Sequence, residues 1–204
     1  IQDFSRVGPK GELISETMIL CGGGLWGFNQ STGATRPLGF IPKTGKASYT
    51  QYGSVAYIGR GNGYRPFRCD GSSTYPMGIR APVVACTAAA AAGAGFAAGT
   101  WYVYYTFRNP QTGVESNPSP YTAVTTAGGN LSISVTLLQR SSERQVGQRR
   151  IYVVGTPGSV TGTAYLAATV EENRSSTVSV TISAAGTTNT LTYTSNREAP
   201  TGSL

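Results

Sequence analysis

Two stretches of the chain alternate between apolar and hydroxyl-bearing side chains without a break, Leu131-Ser132-Ile133-Ser134-Val135-Thr136-Leu137 and Val178-Ser179-Val180-Thr181-Ile182. A period of two puts one class of side chain on each face of a pleated backbone, so each stretch predicts a strand with one buried and one wet face. Thr100-Trp101-Tyr102-Val103-Tyr104-Tyr105-Thr106-Phe107 is denser in aromatic and β-branched residues and predicts a strand over 100–108. Asn109-Pro110-Gln111-Thr112-Gly113 and the Pro-punctuated Glu115-Ser116-Asn117-Pro118-Ser119-Pro120 then make a turn and an exit. Further strands are predicted at 150–156, 164–170, 177–183 and 190–194, with an opening strand at 82–87. The passage Ala85–Gly99 is Ala-rich, but Gly93, Gly95 and Gly99 break any helical period, so its later part reads as a mobile, linker-like loop.

The N-terminal part carries an internal repeat. Met18-Ile19-Leu20-Cys21 leads through Gly22-Gly23-Gly24 and Leu25-Trp26-Gly27-Phe28-Asn29 to Pro37-Leu38-Gly39-Phe40. Val55-Ala56-Tyr57-Ile58 leads through Gly59-Arg60-Gly61-Asn62-Gly63 and Tyr64-Arg65-Pro66-Phe67-Arg68 to Pro76-Met77-Gly78-Ile79. Each copy reads strand, Gly-rich turn, strand, polar turn, exit, and the offset of about 37 to 39 residues is near that of a propeller blade. Two blades cannot close a ring, so the remainder must come from other parts of a longer chain or from neighbouring subunits; failing that, they are a pair of hairpins resting on the second domain. The expected architecture is all-β, with propeller-blade-like β-hairpins over 1–80 followed by an immunoglobulin or fibronectin III-like β-sandwich over 81–204. Seven short strands over about 120 residues suit that sandwich.

Composition narrows the function classes. The 204 residues include 27 Gly, 12 Tyr and only 12% charged side chains, which suits short strands and turns and leaves little for helices. The 16 Lys and Arg against 9 Asp and Glu give a net charge of +7, which favours acidic partners or phosphates. No stretch reaches the roughly 18 continuous apolar residues of a membrane span, so no membrane insertion is expected. The chain opens Ile1-Gln2-Asp3-Phe4 with no visible signal peptide, as expected of a processed chain or part of a longer product. Cys21, Cys69 and Cys86 lack metal-ligand spacing, and they read as buried free thiols or, for the first two, as a bridge.

The chain has no His, which excludes Ser-His-Asp and Cys-His catalysis. A carboxylate pair is the remaining option, but Glu171 and Glu172 are adjacent and on a strand would face opposite sides. No enzyme activity, cofactor or metal is therefore expected. Two basic clusters are candidates for contact surfaces. Arg60, Tyr64, Arg65 and Arg68 interleave rings with guanidinium groups, the chemistry that stacks bases and neutralises phosphates. Arg140, Arg144, Arg149 and Arg150 form a second cluster, expected in a loop between strands, where Arg can bind phosphate or carboxylate bidentately. Trp26 and Trp101 suit core or subunit-seam positions.

Arg60 through Gly71, Gly78-Ile79-Arg80-Ala81-Pro82, Gly99 through Tyr104, Glu115 through Pro120 and Arg149-Arg150-Ile151-Tyr152-Val153 together resemble virion structural proteins of tailed bacteriophages. The resemblance, over roughly residues 55 to 195, is to tail-tube and nozzle-type proteins that combine propeller-like blades with a fibronectin-like module. It implies a non-enzymatic subunit of a tail, neck or particle surface. Its partners would be copies of itself and other virion proteins, with phage DNA as a further contact, in a particle assembled in the bacterial host cytoplasm. The incomplete blade set departs from a full nozzle-type protein. A bacterial surface or secreted adhesive module binding a glycan or protein is the competing expectation.

Overall fold

The computed structural model describes residues 1–41, 47–60, 64–136, 138–154, 156–160, 163–175 and 177–183. The strand expected at 190–194 lies outside them. Every regular element described is a β-strand, and the strands form four antiparallel sheets. The chain divides into two compact units, Ile1–Met77 and a second that begins at Gly78.

In the first unit, β1 (Gln2–Val7), β2 (Leu13–Cys21), β3 (Gly24–Asn29) and β4 (Thr35–Phe40) form a four-stranded sheet in chain order. A second such sheet follows from β5 (Ala47–Tyr52), β6 (Val55–Arg60), β7 (Tyr64–Cys69) and β8 (Thr74–Pro76). Sequence reading foresaw hairpins; the structure adds β1 and β5, whose Gln-Asp-Phe-Ser-Arg-Val and Ala-Ser-Tyr-Thr-Gln-Tyr carry too few apolar residues to announce strands. Turn chemistry fixes the registers. Gly22 and Gly23 adopt φ of 61° and 90°, the positive pair that a two-residue hairpin with the twist of its strands requires, and Cys21 accordingly pairs with Gly24. Asn29 closes the next turn by accepting the N–H groups of Ser31 and Thr32 on Oδ1, and Asp70 does the same for Ser72 and Ser73.

The inner faces of the two sheets share one core, with Phe4, Met18, Leu25 and Leu38 from the first and Ala56, Ile58, Phe67 and Cys69 from the second. One carboxylate is buried at its margin. Glu16, 4% exposed, receives a bidentate bond from Arg36 at 2.9 and 2.6 Å and has Arg6 at 3.6 Å. The Arg36 fork holds the Glu16 carboxyl below its usual range, against the opposing pull of burial. A folded-state pKa below the unfolded one contributes stability above the ordinary carboxylate range, and that contribution disappears as pH falls through the folded value. Urea unfolding of the wild type should therefore show its midpoint fall as pH drops from 5 towards 3. In Glu16→Gln the midpoint should be lower at pH 7 and should fall less on acidification.

The second unit is a sandwich. Its four-stranded sheet has the order β11 (Thr122–Thr126), β10 (Gly99–Arg108), β13 (Gln148–Val154), β14 (Ala164–Val170), and its three-stranded sheet the order β15 (Val180–Ile182), β12 (Ser132–Thr136), β9 (Thr87–Ala91). β10 alternates as its sequence demands, with Trp101, Val103, Tyr105 and Phe107 buried against Ile133, Val135 and Ile182 of the facing sheet. Its opposite side carries Tyr104, which joins a smaller cluster with Tyr152, Val154 and Ala164. Five expectations change. β13 begins at Gln148 rather than at 150, and β15 is confined to Val180–Ile182 within the expected 177–183. The opening strand lies at 87–91, not 82–87; 92–98 is an ordered connection rather than a free linker; and the Thr-rich β11, with Val124 as its one large apolar residue, was not foreseen.

The Pro-punctuated exit also acquires a structural reason. β11 pairs with β10 only from Gly99 to Val103, and Ser116 and Ser119 continue along the same edge. Their hydroxyls accept the Phe107 and Tyr105 N–H groups, and their own N–H groups bond back to the Phe107 and Tyr105 carbonyls. The serine hydroxyls thus take the place of backbone carbonyls as acceptors along this edge, and the donors come from the Ser116 and Ser119 N–H groups, since Pro118 and Pro120 have none to give.

Candidate functional site

The first basic cluster is split by strand alternation. On β7, Arg65 alternates with the buried Phe67 and lies on the core side, where its Nε donates to the Met77 carbonyl at 2.7 Å. Arg68 lies on the outer side. It pairs across strands with Tyr57 on β6 and Tyr75 on β8, and its guanidinium sits 5.3 Å from the Tyr75 ring centroid. That distance is within cation–π range. Arg60 and Tyr64 face each other in register at the far end of the same hairpin, and their side chains lie outside the described residues. The outer face of the second sheet therefore presents a row Tyr57–Arg68–Tyr75, and Arg65 is not part of it.

The second cluster is not one surface either. Arg149 and Arg150 are strand residues of β13 and point to opposite faces. Arg149 is 0% exposed and donates to the carbonyls of Leu138 (2.8 Å), Ser175 (3.0 Å) and Glu172 (3.2 Å) and to the Glu172 carboxylate at 2.6 Å. It can touch no partner. Arg150 pairs with Glu115 at 3.2 Å, and Glu115 also accepts from Thr106 at 2.5 Å and the Tyr152 hydroxyl at 2.6 Å. Burial, with help from that carboxylate, pushes the Tyr152 phenol well above its usual pKa. Arg140 and Arg144 are exposed, as expected. Arg144 lines a polar cleft of about 580 Å³ whose wall also carries Glu143, Glu171 and Glu172, so carboxylates offset the cations there.

Each carboxylate among the described residues accepts at least one hydrogen bond from within the chain. Of the 9 acidic residues, Glu198 lies outside them, and each of the others is held within its own unit. Asp3 accepts from Thr17, Glu12 from the Lys10 N–H, Glu143 from Gln145 and the Arg80 N–H, and Glu171 from Gln148. Glu16, Asp70, Glu115 and Glu172 have the partners given above. Glu171 and Glu172 follow β14 rather than lying on a strand, and Glu172 serves Arg149. No group of three or more His, Cys, Asp or Glu is placed to hold a metal among the described residues, and no helix there is long and apolar enough to cross a membrane.

The cysteines are all free, so no Cys21–Cys69 bridge forms. Cys69 and Cys86 are buried, and burial pushes both thiols up, whereas Cys21 is exposed, contrary to the expectation for it. A colorimetric thiol reagent should modify one cysteine rapidly in the native chain and the remaining two only after denaturation; Cys21→Ser should remove the fast phase.

The surface that sequence reading did not single out is the outer face of the first sheet. Ile19, Trp26 and Pro37 stand directly opposite one another on β2, β3 and β4, on the side away from Met18, Gly27 and Leu38. Trp26 is 42% exposed and Phe40, at the end of β4, 67%. Trp101, by contrast, is 5% exposed and bonded through its indole N–H to Thr126 and the Ala97 carbonyl. The signal available was the alternation of Trp26 and Phe28 around Gly27, which marks two adjacent positions of one face. No protein-family model matches the chain, and no curated protein is similar to it.

Proposed function

We propose that the chain is a non-enzymatic structural component of a tailed-bacteriophage particle, in its tail, neck or surface, that works by packing β-sheet faces against copies of itself and other virion proteins. The observation that carries this reading is the apolar outer row of half-buried Ile19 with exposed Trp26 and Pro37, beside which Phe40 is also exposed.

Two features of the strand order support the reading. Two four-stranded meanders in chain order are the form of propeller blades. In the sandwich, the order β11-β10-β13-β14 follows C′-C-F-G of an immunoglobulin-type domain, with β9 and β12 standing as B and E. β15 departs from that scheme, because it reaches the far side of β12 from beyond the last strand. The adhesive alternative draws on the Tyr57–Arg68–Tyr75 row, whose rings and guanidinium could stack on a sugar.

Immunogold electron microscopy separates the two. Antibody to this chain should label purified phage particles at a fixed position in the tail, neck or shell. Label on the surface of uninfected bacteria and none on particles would overturn the virion reading.

A further inference from the structure

The internal repeat says how the open face is covered. Aligned through their cross-strand pairs, Ile19–Trp26–Pro37 of the first sheet corresponds to Ile58–Phe67–Pro76 of the second, each at an offset of 39 or 41 residues, since Ile19 pairs with Trp26 and Trp26 with Pro37 just as Ile58 pairs with Phe67 and Phe67 with Pro76. The Asn29 and Asp70 turns occupy the same place in each copy. Yet the two rows face differently. Ile58 and Phe67 are buried, 2% and 9% exposed, under the inner face of the first sheet, whereas Trp26 points outward. Two sheets packed face to face about a two-fold axis would bury equivalent residues from both. Burying opposite faces of equivalent sheets is stacking in one direction, head to tail.

A directional stack ends in two outer faces, and here both carry half-buried or exposed side chains. One is Ile19–Trp26–Pro37. The other is the outer face of the second sheet, where Tyr57–Arg68–Tyr75 corresponds to Met18–Gly27–Arg36, the row of the first sheet on the side that covers the second. The ends are chemically complementary, because an indole face suits a guanidinium flanked by two phenols.

We propose that Tyr57–Arg68–Tyr75 of one copy of this chain packs on Ile19–Trp26–Pro37 of a second copy, continuing between molecules the stacking found within each. Such an interface is heterologous and grows into a ring or an open stack, depending on the rotation per copy. The proposal rests on the assembly reading above and assigns its surfaces.

Complementation between variants tests it. By analytical ultracentrifugation the wild-type chain should form dimers and larger species as its concentration rises. Trp26→Glu and Arg68→Ala should each weaken that association about tenfold or more, as loss of a central Trp or Arg anchor does. Both positions face outward, so far-UV circular dichroism and thermal midpoints should stay near wild type, which checks the folding of each. Mixed one to one, the two variants should recover a dimer but nothing larger, because each retains the end the other lacks. A symmetric interface would give no recovery, and that result overturns the proposal. If both variants associate like the wild type, the surface assignment fails while the assembly reading stands. If the wild type remains monomeric at millimolar concentration, both fail.

Discussion

Arg149→Ala should destabilise the sandwich by about 3–5 kcal/mol, the scale of leaving several part-buried or buried carbonyls without a donor at roughly 1–3 kcal/mol each. The reason is the number of groups left behind. The guanidinium is 0% exposed and links β13 to the ends of two loops, so its removal strands the carbonyls of Leu138, Glu172 and Ser175 and opens a cavity beside Leu138. Burial pulls the Arg149 pKa down and Glu172 pulls it up, but a guanidinium stays charged throughout the accessible pH range. Arg149→Lys keeps the charge while losing the planar fork that serves several acceptors at once, and should fall between wild type and Arg149→Ala. Thermal unfolding followed by the fluorescence of the buried Trp101 should show a loss of at least about 10 °C for Arg149→Ala, given about 4–8 °C per kcal/mol in a domain of this size. A change below about 2 °C would mean that Arg149 is dispensable to the fold and that its burial has another purpose.

The contrast between Arg149 and the neighbouring Arg150 also marks how far the sequence could be read. In Arg149-Arg150-Ile151-Tyr152-Val153 the period of two places Arg149 with Ile151 and Val153 on the buried face, but the strand expected at 150–156 begins too late to include it. A charge count along the chain concealed it. β14 was found at its observed bounds and β10 and β12 within a residue, because their apolar positions repeat cleanly. β1, β5 and β11 were missed because these edge strands are mostly polar, bury at most one or two side chains each, and owe their conformation to the ladder beside them. The Glu115 hub joins Thr106, Arg150 and Tyr152 from distant points of the chain, and no local pattern encodes such a meeting. The outer apolar row was spelled out by Trp26 and Phe28, but which face of a blade-like sheet lies open depends on what stands next to it.

Gly95→Ala should cost on the order of 3 kcal/mol, in a segment whose composition suggests a flexible linker. Gly95 adopts φ of 140°, a conformation that side chains with L chirality rarely take, and a Cβ at this position would collide with the backbone carbonyl of Ser183, just beyond β15. Backbone cannot swing aside as a side chain tip can. The neighbours confirm that the passage is fastened: Phe96 is 3% exposed, its N–H bonds to the Leu131 carbonyl at 2.9 Å, and its ring meets Trp101 edge to face at 4.8 Å. The glycine thus permits close approach between this connection and β15, rather than freedom of motion. The sign of the effect is decisive. In a mobile linker the same substitution would restrict only the unfolded chain and would stabilise by about 0.4–1 kcal/mol. Urea unfolding of Gly95→Ala, read through Trp101 fluorescence, should show a lowered midpoint and an altered native signal from the Phe96–Trp101 pair; a raised midpoint with an unchanged native spectrum would restore the linker reading.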